Sequence, residues 1–342
     1  MSNLTPSTPE WKDLYNAALE FKQIECWNWM EDSDLFGVQH PEGGEIGYCC
    51  VLGALGEMFG LAVYLGAEGL NEYLKVQSGE IAPEDFDAVH QRCLFASFED
   101  RRLLQRPDLE VIKKLGLKFR GSKSWSLFRS YQPGYYPWYL NKKEAIFLTI
   151  ALQQAKGVAI RLKENRDWFN PPSRNHCLVR MADQTGISFH WREEWMKLPI
   201  LEKQEIEIPP IDEVRLQRIK KMASHKPFIW EGDLFYALLT IHKEGRPYFP
   251  FLSLWVDHQS GYILKGELLE HLEYRANFQE QFLRLIESVR ILPQEVRVKR
   301  EEVFKLLEPI TAKLEVKLML VQKLPALEEA QKGTEDFFIR RK

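Results

Sequence analysis

Three carboxylates, Asp34, Asp100 and Glu144, are the residues whose types and places suit chemistry best. Asp34 opens an apolar run, Glu99-Asp100 end another, and Glu144 falls in the first turn of a helical one. Acids converging from separate elements could hold Mg²⁺ or Mn²⁺, hard cations that prefer oxygen ligands, and so support two-metal phosphoryl transfer. On that reading Asp34, Asp100 and Glu144 are metal ligands and catalytic residues of a nuclease, with Glu99 or Asp32 assisting. The competing reading is structural. An acid in a first helical turn already complements the macrodipole, and Asp34 and Asp100 suit turns or pairing with Arg101 and Arg102.

A second stretch has a different chemistry. Residues 118–139, KFRGSKSWSLFRSYQPGYYPWY, interleave Lys118, Arg120, Lys123 and Arg129 with aromatics and contain no acid. Single-stranded nucleic acid is bound by base stacking and phosphate pairing together, so these cations with Tyr135, Tyr136 and Trp138 are a candidate nucleic-acid surface. Against this, alternate residues of a strand face opposite sides, which places Trp125, Leu127 and Arg129 together, and Pro133-Gly134 and Pro137 read as turn and loop.

Other chemistries lack their motifs. The eight histidines show neither HxH nor HxxxH spacing, and there is no phosphate loop, dinucleotide fingerprint or nucleophile elbow. The five cysteines form no CxxC, which fits a reducing, cytoplasmic setting. Cys49-Cys50 sit side by side in an apolar strand and are expected to pack on opposite faces. Net charge is −3, so any pull on nucleic acid must come from a local patch. No membrane segment is expected, since no apolar run approaches about 20 residues, and the N-terminus does not read as a signal peptide.

The 342 residues imply two domains. The expected division is 1–195, a linker over 196–226 and a second domain over 227–342. The second is the clearer. Strands are predicted at Asp233–His242, Pro250–Asp257 and Tyr262–Leu264, with turns at Glu244–Pro247 and Gln259–Gly261. A helix (Ala276–Val289), strand (Glu295–Lys299), helix (Glu301–Leu314), strand (Val316–Val321) and helix (Pro325–Phe338) follow. This βββαβαβα order is that of the RNase H-like fold. The first domain reads in the same order, with strands at Asp34–His40, Ile46–Leu52, Gly60–Leu65, Cys93–Phe98 and Ser124–Tyr131. Helices are expected at Thr8–Met30, Ala67–Val76, Pro83–Gln91, Pro107–Leu115 and Lys142–Lys156, and a closing hairpin around Asp183-Gln184. The fold expectation is therefore α+β, with two mixed five-stranded sheets. DLF opens both first strands, at Asp34 and Asp233, and HPEGG and HKEGR close them, which suggests a tandem duplication. In an RNase H-like first domain, Asp34, Asp100 and Glu144 would meet at one sheet edge.

The segments DSDLFGVQHPEGGEIGY, SFEDRRLL, IKKLGLKFRG and LFRSYQPGYYPW resemble an uncharacterised bacterial domain, and 230–330 resembles a second that accompanies it. Both are domains of unknown function, so the resemblance implies no activity. More loosely, the second half is similar to the catalytic core of transposases and retroviral-type integrases. There W-x-x-D opens strand one and D-x-x-S-x-x-I/L closes strand two, as Trp230–Asp233 and Asp257–Ile263 do here. That family places metal-binding acids on strand one, the end of strand four and the last helix. Here the end of strand four reads Arg297-Val298-Lys299-Arg300, so the resemblance implies a catalytically degenerate second domain. Three functions stand open: a nucleic-acid-associated protein linked to mobile elements or defence, a protein-interaction module consistent with the absence of a basic stripe, or a metal-dependent nuclease acting through the first domain.

Overall fold

In the computed structural model the described residues are 5–42, 44–80, 88–185, 188–201, 205–237, 239–243, 245–271 and 273–339. The chain divides into two compact units, Met1–Glu202 and Lys203–Lys342.

The first unit begins with α1 (Thr8–Ile24), which starts with Ser7 and Glu10 in a reciprocal capping box and Pro9 in its first turn. The strands β1 (Phe36–Gln39), β2 (Ile46–Leu52) and β3 (Gly60–Leu65) form an antiparallel meander. After α2 (Gly66–Gln77) come β4 (Cys93–Glu99), α3 (Arg106–Lys114), β5 (Trp125–Tyr131) and α4 (Lys142–Glu164). The hairpin β6 (His176–Thr185) and β7 (Ser188–Lys197) closes the unit. The helix expected over Pro83–Gln91 falls largely outside the described residues; 88–90 form a 3-10 turn.

One sheet of seven strands runs β5-β4-β3-β2-β1-β6-β7, not the five expected. Only β1 and β6 pair in parallel; every other neighbour is antiparallel. The hairpin pairs continuously from His176↔Lys197 to Thr185↔Ser188, so the chain does not turn at Asp183-Gln184. Asp183 instead holds Arg192 of the facing strand at 2.9 Å. One face of the sheet is covered by α1 and α4 around Phe21, Phe36, Leu61 and Leu148. The opposite face packs Tyr48, Cys50, Tyr64 and Cys93 under Leu70 and Tyr73 of α2.

The helix α4 is long and apolar enough to cross a membrane by composition alone, contrary to the reading of the sequence. It is a core helix here, with Ala145, Leu148, Ala151, Leu152, Ala155 and Ala159 wholly buried. All five cysteines are free and buried. Cys49 and Cys50 do face opposite sides, and burial pushes the thiols of Cys26, Cys93 and Cys177 up to about 12. These are packing groups, inert as nucleophiles at neutral pH.

The second unit runs α5 (Glu213–Met222), β8 (Ser224–Tyr236), β9 (Phe251–Asp257), β10 (Ile263–Leu269), α6 (Tyr274–Val289), β11 (Ile291–Val298), α7 (Glu301–Lys313), β12 (Lys317–Leu320) and α8 (Pro325–Ile339). The order β10-β9-β8-β11-β12, with β9 antiparallel to β8 and with β11 and β12 parallel to it, is RNase H-like. The strand β8 starts nine residues before the expected Asp233. Its opening SHKPFI lacks apolar alternation and is exposed; pairing with β11 makes it a strand. Helices α5, α6 and α7 cover one face around Trp255, Phe278 and Phe282, and α8 covers the other through Leu324 and Leu327. Gly232 is required by this packing. A Cβ there would come within 2.5 Å of the Trp255 ring, which stacks on Phe278 and Phe282.

Candidate functional site

The three acids of the first unit do not share a site. Asp34 precedes β1 and Asp100 follows β4, at the same end of the sheet but three strand spacings apart, roughly 14 Å at the usual 4.8 Å per strand. Each is occupied locally. Asp34 is buried, accepts from the Glu31 amide at 2.9 Å and holds the Arg166 guanidinium at 2.9 and 3.2 Å. Asp100 accepts from the Ser122 hydroxyl at 2.6 Å and the Lys123 amide at 2.9 Å, and these bonds hold its carboxyl below the usual carboxylate range. Glu144 completes a capping box with Asn141, accepting from its amide at 2.8 Å, and takes the Ser130 hydroxyl on its other oxygen at 2.8 Å. Among the described residues no three His, Cys, Asp or Glu side chains could together hold a metal ion. The structure does not bring Asp34, Asp100 and Glu144 together as the Mg²⁺ or Mn²⁺ ligands expected from the sequence; each carboxylate is engaged by its own neighbours.

In the second unit the relevant elements do converge, but with the wrong charges for a cation. Asp233 on β8 is buried, which raises its carboxyl above the usual range; Arg300, 3.7 Å away, and the Leu234 amide act in the other direction. Lys299 at the end of β11 pairs with Glu328 of α8 at 3.0 Å. Asp257 caps its own turn, accepting from the Ser260 amide and hydroxyl. Two places before Asp233, and so on the same face by alternation, Glu231 lies wholly buried. One of its oxygens meets His258 Nδ1 at 2.5 Å and the other accepts from the Leu327 amide at 2.8 Å, in the first turn of α8. Arg297 approaches the remaining His258 nitrogen at 3.1 Å and is itself paired with Glu295. This face is a set of anchors for α8, since a carboxylate on free amides at a helix N-terminus satisfies both partners.

The cationic and aromatic residues of 118–139 separate into two groups. Arg129 is buried and doubly hydrogen-bonded to Asp108 at 2.8 Å, with its guanidinium over Tyr139. Lys123 is spent on the Gly56 and Glu57 carbonyls and lies over Phe59. Trp138 bridges the backbone of Ser130, and Tyr135 and Trp138 are half-buried. Lys118, Arg120 and Tyr136 are the exposed members. Arg129 and Lys123 are therefore withdrawn from the candidate nucleic-acid surface, because burial and carbonyl ligation occupy their charges.

Residues 11–180 match the family described as Domain of unknown function (DUF7309), and 215–335 match Domain of unknown function (DUF6930). The protein pairs these two domains. No curated protein matches the chain. Two solved structures of the HTLV-2 integrase catalytic core domain in complex with magnesium, in dimeric and trimeric forms, are similar to part of it. Identities are 17% and 18% and TM-scores 0.24 and 0.25; the matches cover 31% and 32% of this chain and 66% and 68% of those cores.

The DUF7309 unit carries a feature that the sequence reading passed over. From Arg101 to Lys123 there are eight cations and two acids, and both acids are paired internally, Asp108 with Arg129 and Glu110 with Arg106. At the end of α3 and along the segment after it, Lys113, Lys114, Lys118 and Arg120 are exposed and form no ion pair among the described residues. Leu117 and Phe119 alternate with them and turn inward, Phe119 onto Tyr15 and Trp125, so Lys118 and Arg120 share the outer side. A count of charges in windows beginning before residue 118 would have found this stripe.

Proposed function

We propose that the protein is a non-catalytic nucleic-acid-binding protein that takes the phosphate backbone along the α3 edge of its DUF7309 unit. The observation that carries this reading is the run of four exposed cations Lys113, Lys114, Lys118 and Arg120, without an ion pair among the described residues, on a chain whose overall charge is −3. Such a cluster meets phosphate without competition from its own acids. The absence of catalysis in this reading is supported by the internal ion pairs and hydrogen bonds that occupy Asp34, Asp100, Glu144 and Asp233.

The test is fluorescence anisotropy with labelled single-stranded DNA and RNA across a salt series. Four phosphate contacts predict a log–log salt slope of about −3 for a single strand. A variant with all four cations changed to Gln loses that dependence and most of the binding. Binding that is insensitive to salt, or unchanged in the variant, overturns the reading and leaves a module that takes protein partners. Mn²⁺-dependent cleavage abolished by Asp34→Asn would restore a nuclease.

A further inference from the structure

The residues around Asp34 also form a cleft of about 360 Å³, inside the range of small-molecule sites. It lies between the loop before β1, the end of α2, the segment after α4 and the first residues of β6. Its polar side is cationic. Arg166 is held in place from within, by Asp34 and by the Trp29 carbonyl at 3.1 Å, while half of its side chain stays exposed. Arg174 is exposed and forms no ion pair among the described residues. Asp34 neutralises one of these charges, so Arg174 is left uncompensated.

The third polar group is His176, whose Nδ1 lies 2.7 Å from the Ser173 hydroxyl oxygen and 3.0 Å from Asn175 Oδ1. Ser173 donates its own hydrogen to Asn175, and the Asn carbonyl oxygen only accepts. The Nδ1 edge of the ring is thus held by Ser173 and Asn175, and His176 lines the cleft beside Arg174. Beside Ser33, Gln77 and Asn170, the rest of the wall is apolar, with Phe169 and Trp195 contributing rings 6.4 Å apart. A fixed guanidinium, a second exposed one and an imidazole lining one cleft with two aromatic rings are complementary to a planar or apolar molecule bearing one anionic group.

We propose that this cleft binds a small organic anion, with its carboxylate or phosphate on Arg166, Arg174 and His176 and its apolar body against Phe169 and Trp195. The site is separate from the α3 edge and does not depend on nucleic-acid binding.

Calorimetric titration of the full chain with phenyl phosphate, benzoate and inorganic phosphate tests it. At least one aromatic anion is expected to bind saturably and about tenfold or more tighter than inorganic phosphate, and whichever binds identifies the head group. Arg174→Gln, at an exposed position with no ion-pair partner among the described residues, weakens that binding at least tenfold, and His176→Gln weakens it further, while oligonucleotide binding is unchanged. Absence of saturable binding by both aromatic anions overturns the proposal. So does binding that survives Arg174→Gln and His176→Gln intact, or inorganic phosphate binding as tightly as its phenyl ester.

Discussion

The two units begin alike and then diverge at the fourth strand. Each opens with a three-stranded antiparallel meander, but β4 adds beside β3, at the far side of the first sheet, whereas β11 adds beside β8, the first strand of the second. The consequence is chemical. Only in the second unit do the first strand, the end of the fourth and the last helix come together, and there the acids expected at such a junction face Lys299 and Arg300. In the first unit Asp34 and Asp100 keep their carboxylates but are separated by two intervening strands. Identical element order is therefore compatible with two sheets, and convergence of side chains is decided by which edge receives the next strand. The DLF and His-turn similarities in sequence thus accompany two different sheet orders.

Both units nevertheless use a buried carboxylate as a strut, and removing either should give the largest effect. Asp108→Asn leaves the buried Arg129 charge uncompensated and breaks the capping box of α3, and Glu231→Ala strips His258 and the α8 amide of their acceptor. Each is expected to lower stability in urea unfolding by about 3–5 kcal/mol. A loss below about 1 kcal/mol in either would remove that strut from the comparison.

Charge reversal at the junction should separate the units next. Lys299→Asp places a third acid beside Asp233 and Glu328 and is expected to create Mn²⁺ binding detectable by titration. The matched Arg166→Asp change beside Asp34 supplies only two acids, and its affinity should be at least tenfold weaker, about 1.4 kcal/mol. Equal affinities would show that strand placement does not govern convergence.

The smallest effect concerns Asp233. Burial raises its carboxyl, so the folded state holds the proton more tightly than the unfolded chain does. Its contribution to stability is complete below the usual carboxylate range and is lost as pH rises through the raised value. Asp233→Asn should flatten the dependence of the urea midpoint on pH in that window and cost less than about 1 kcal/mol at neutral pH. A steeper dependence in the variant would show that Arg300 outweighs burial.

Much of this architecture was legible from local pattern. The apolar runs Ile46–Leu52 and Gly60–Leu65 became β2 and β3 residue for residue, because a strand covered on both faces needs no alternation. Pro9 and Pro107 marked helix starts, but α4 runs through Gly157 to Glu164, past the expected end at Lys156, and α1 stops at Ile24 and not Met30. What local pattern lacks is the identity of the neighbouring strand. The parallel pairing of β1 with β6 joins Phe36 to Leu178, and nothing near either residue announces it. The same limit applied to the candidate site. Arg129 reads as a surface cation in its own stretch, and only Asp108, 21 residues earlier, explains its burial. Lys113 and Lys114, by contrast, needed only a wider sequence window to join Lys118 and Arg120, since α3 runs directly into that exposed edge.

The hydrogen bond from the Leu327 amide to Glu231 also bears on the order in which the second unit assembles. It spans 96 residues of sequence and ties the unit's last helix to its first strand. A contact of such separation costs the loop-closure entropy of the intervening chain. Until α8 docks, Glu231 can keep one of its oxygens hydrated on an open sheet face. The docking of α8 therefore both dehydrates that carboxylate and satisfies it, so closing the unit end to end and burying that group are one event.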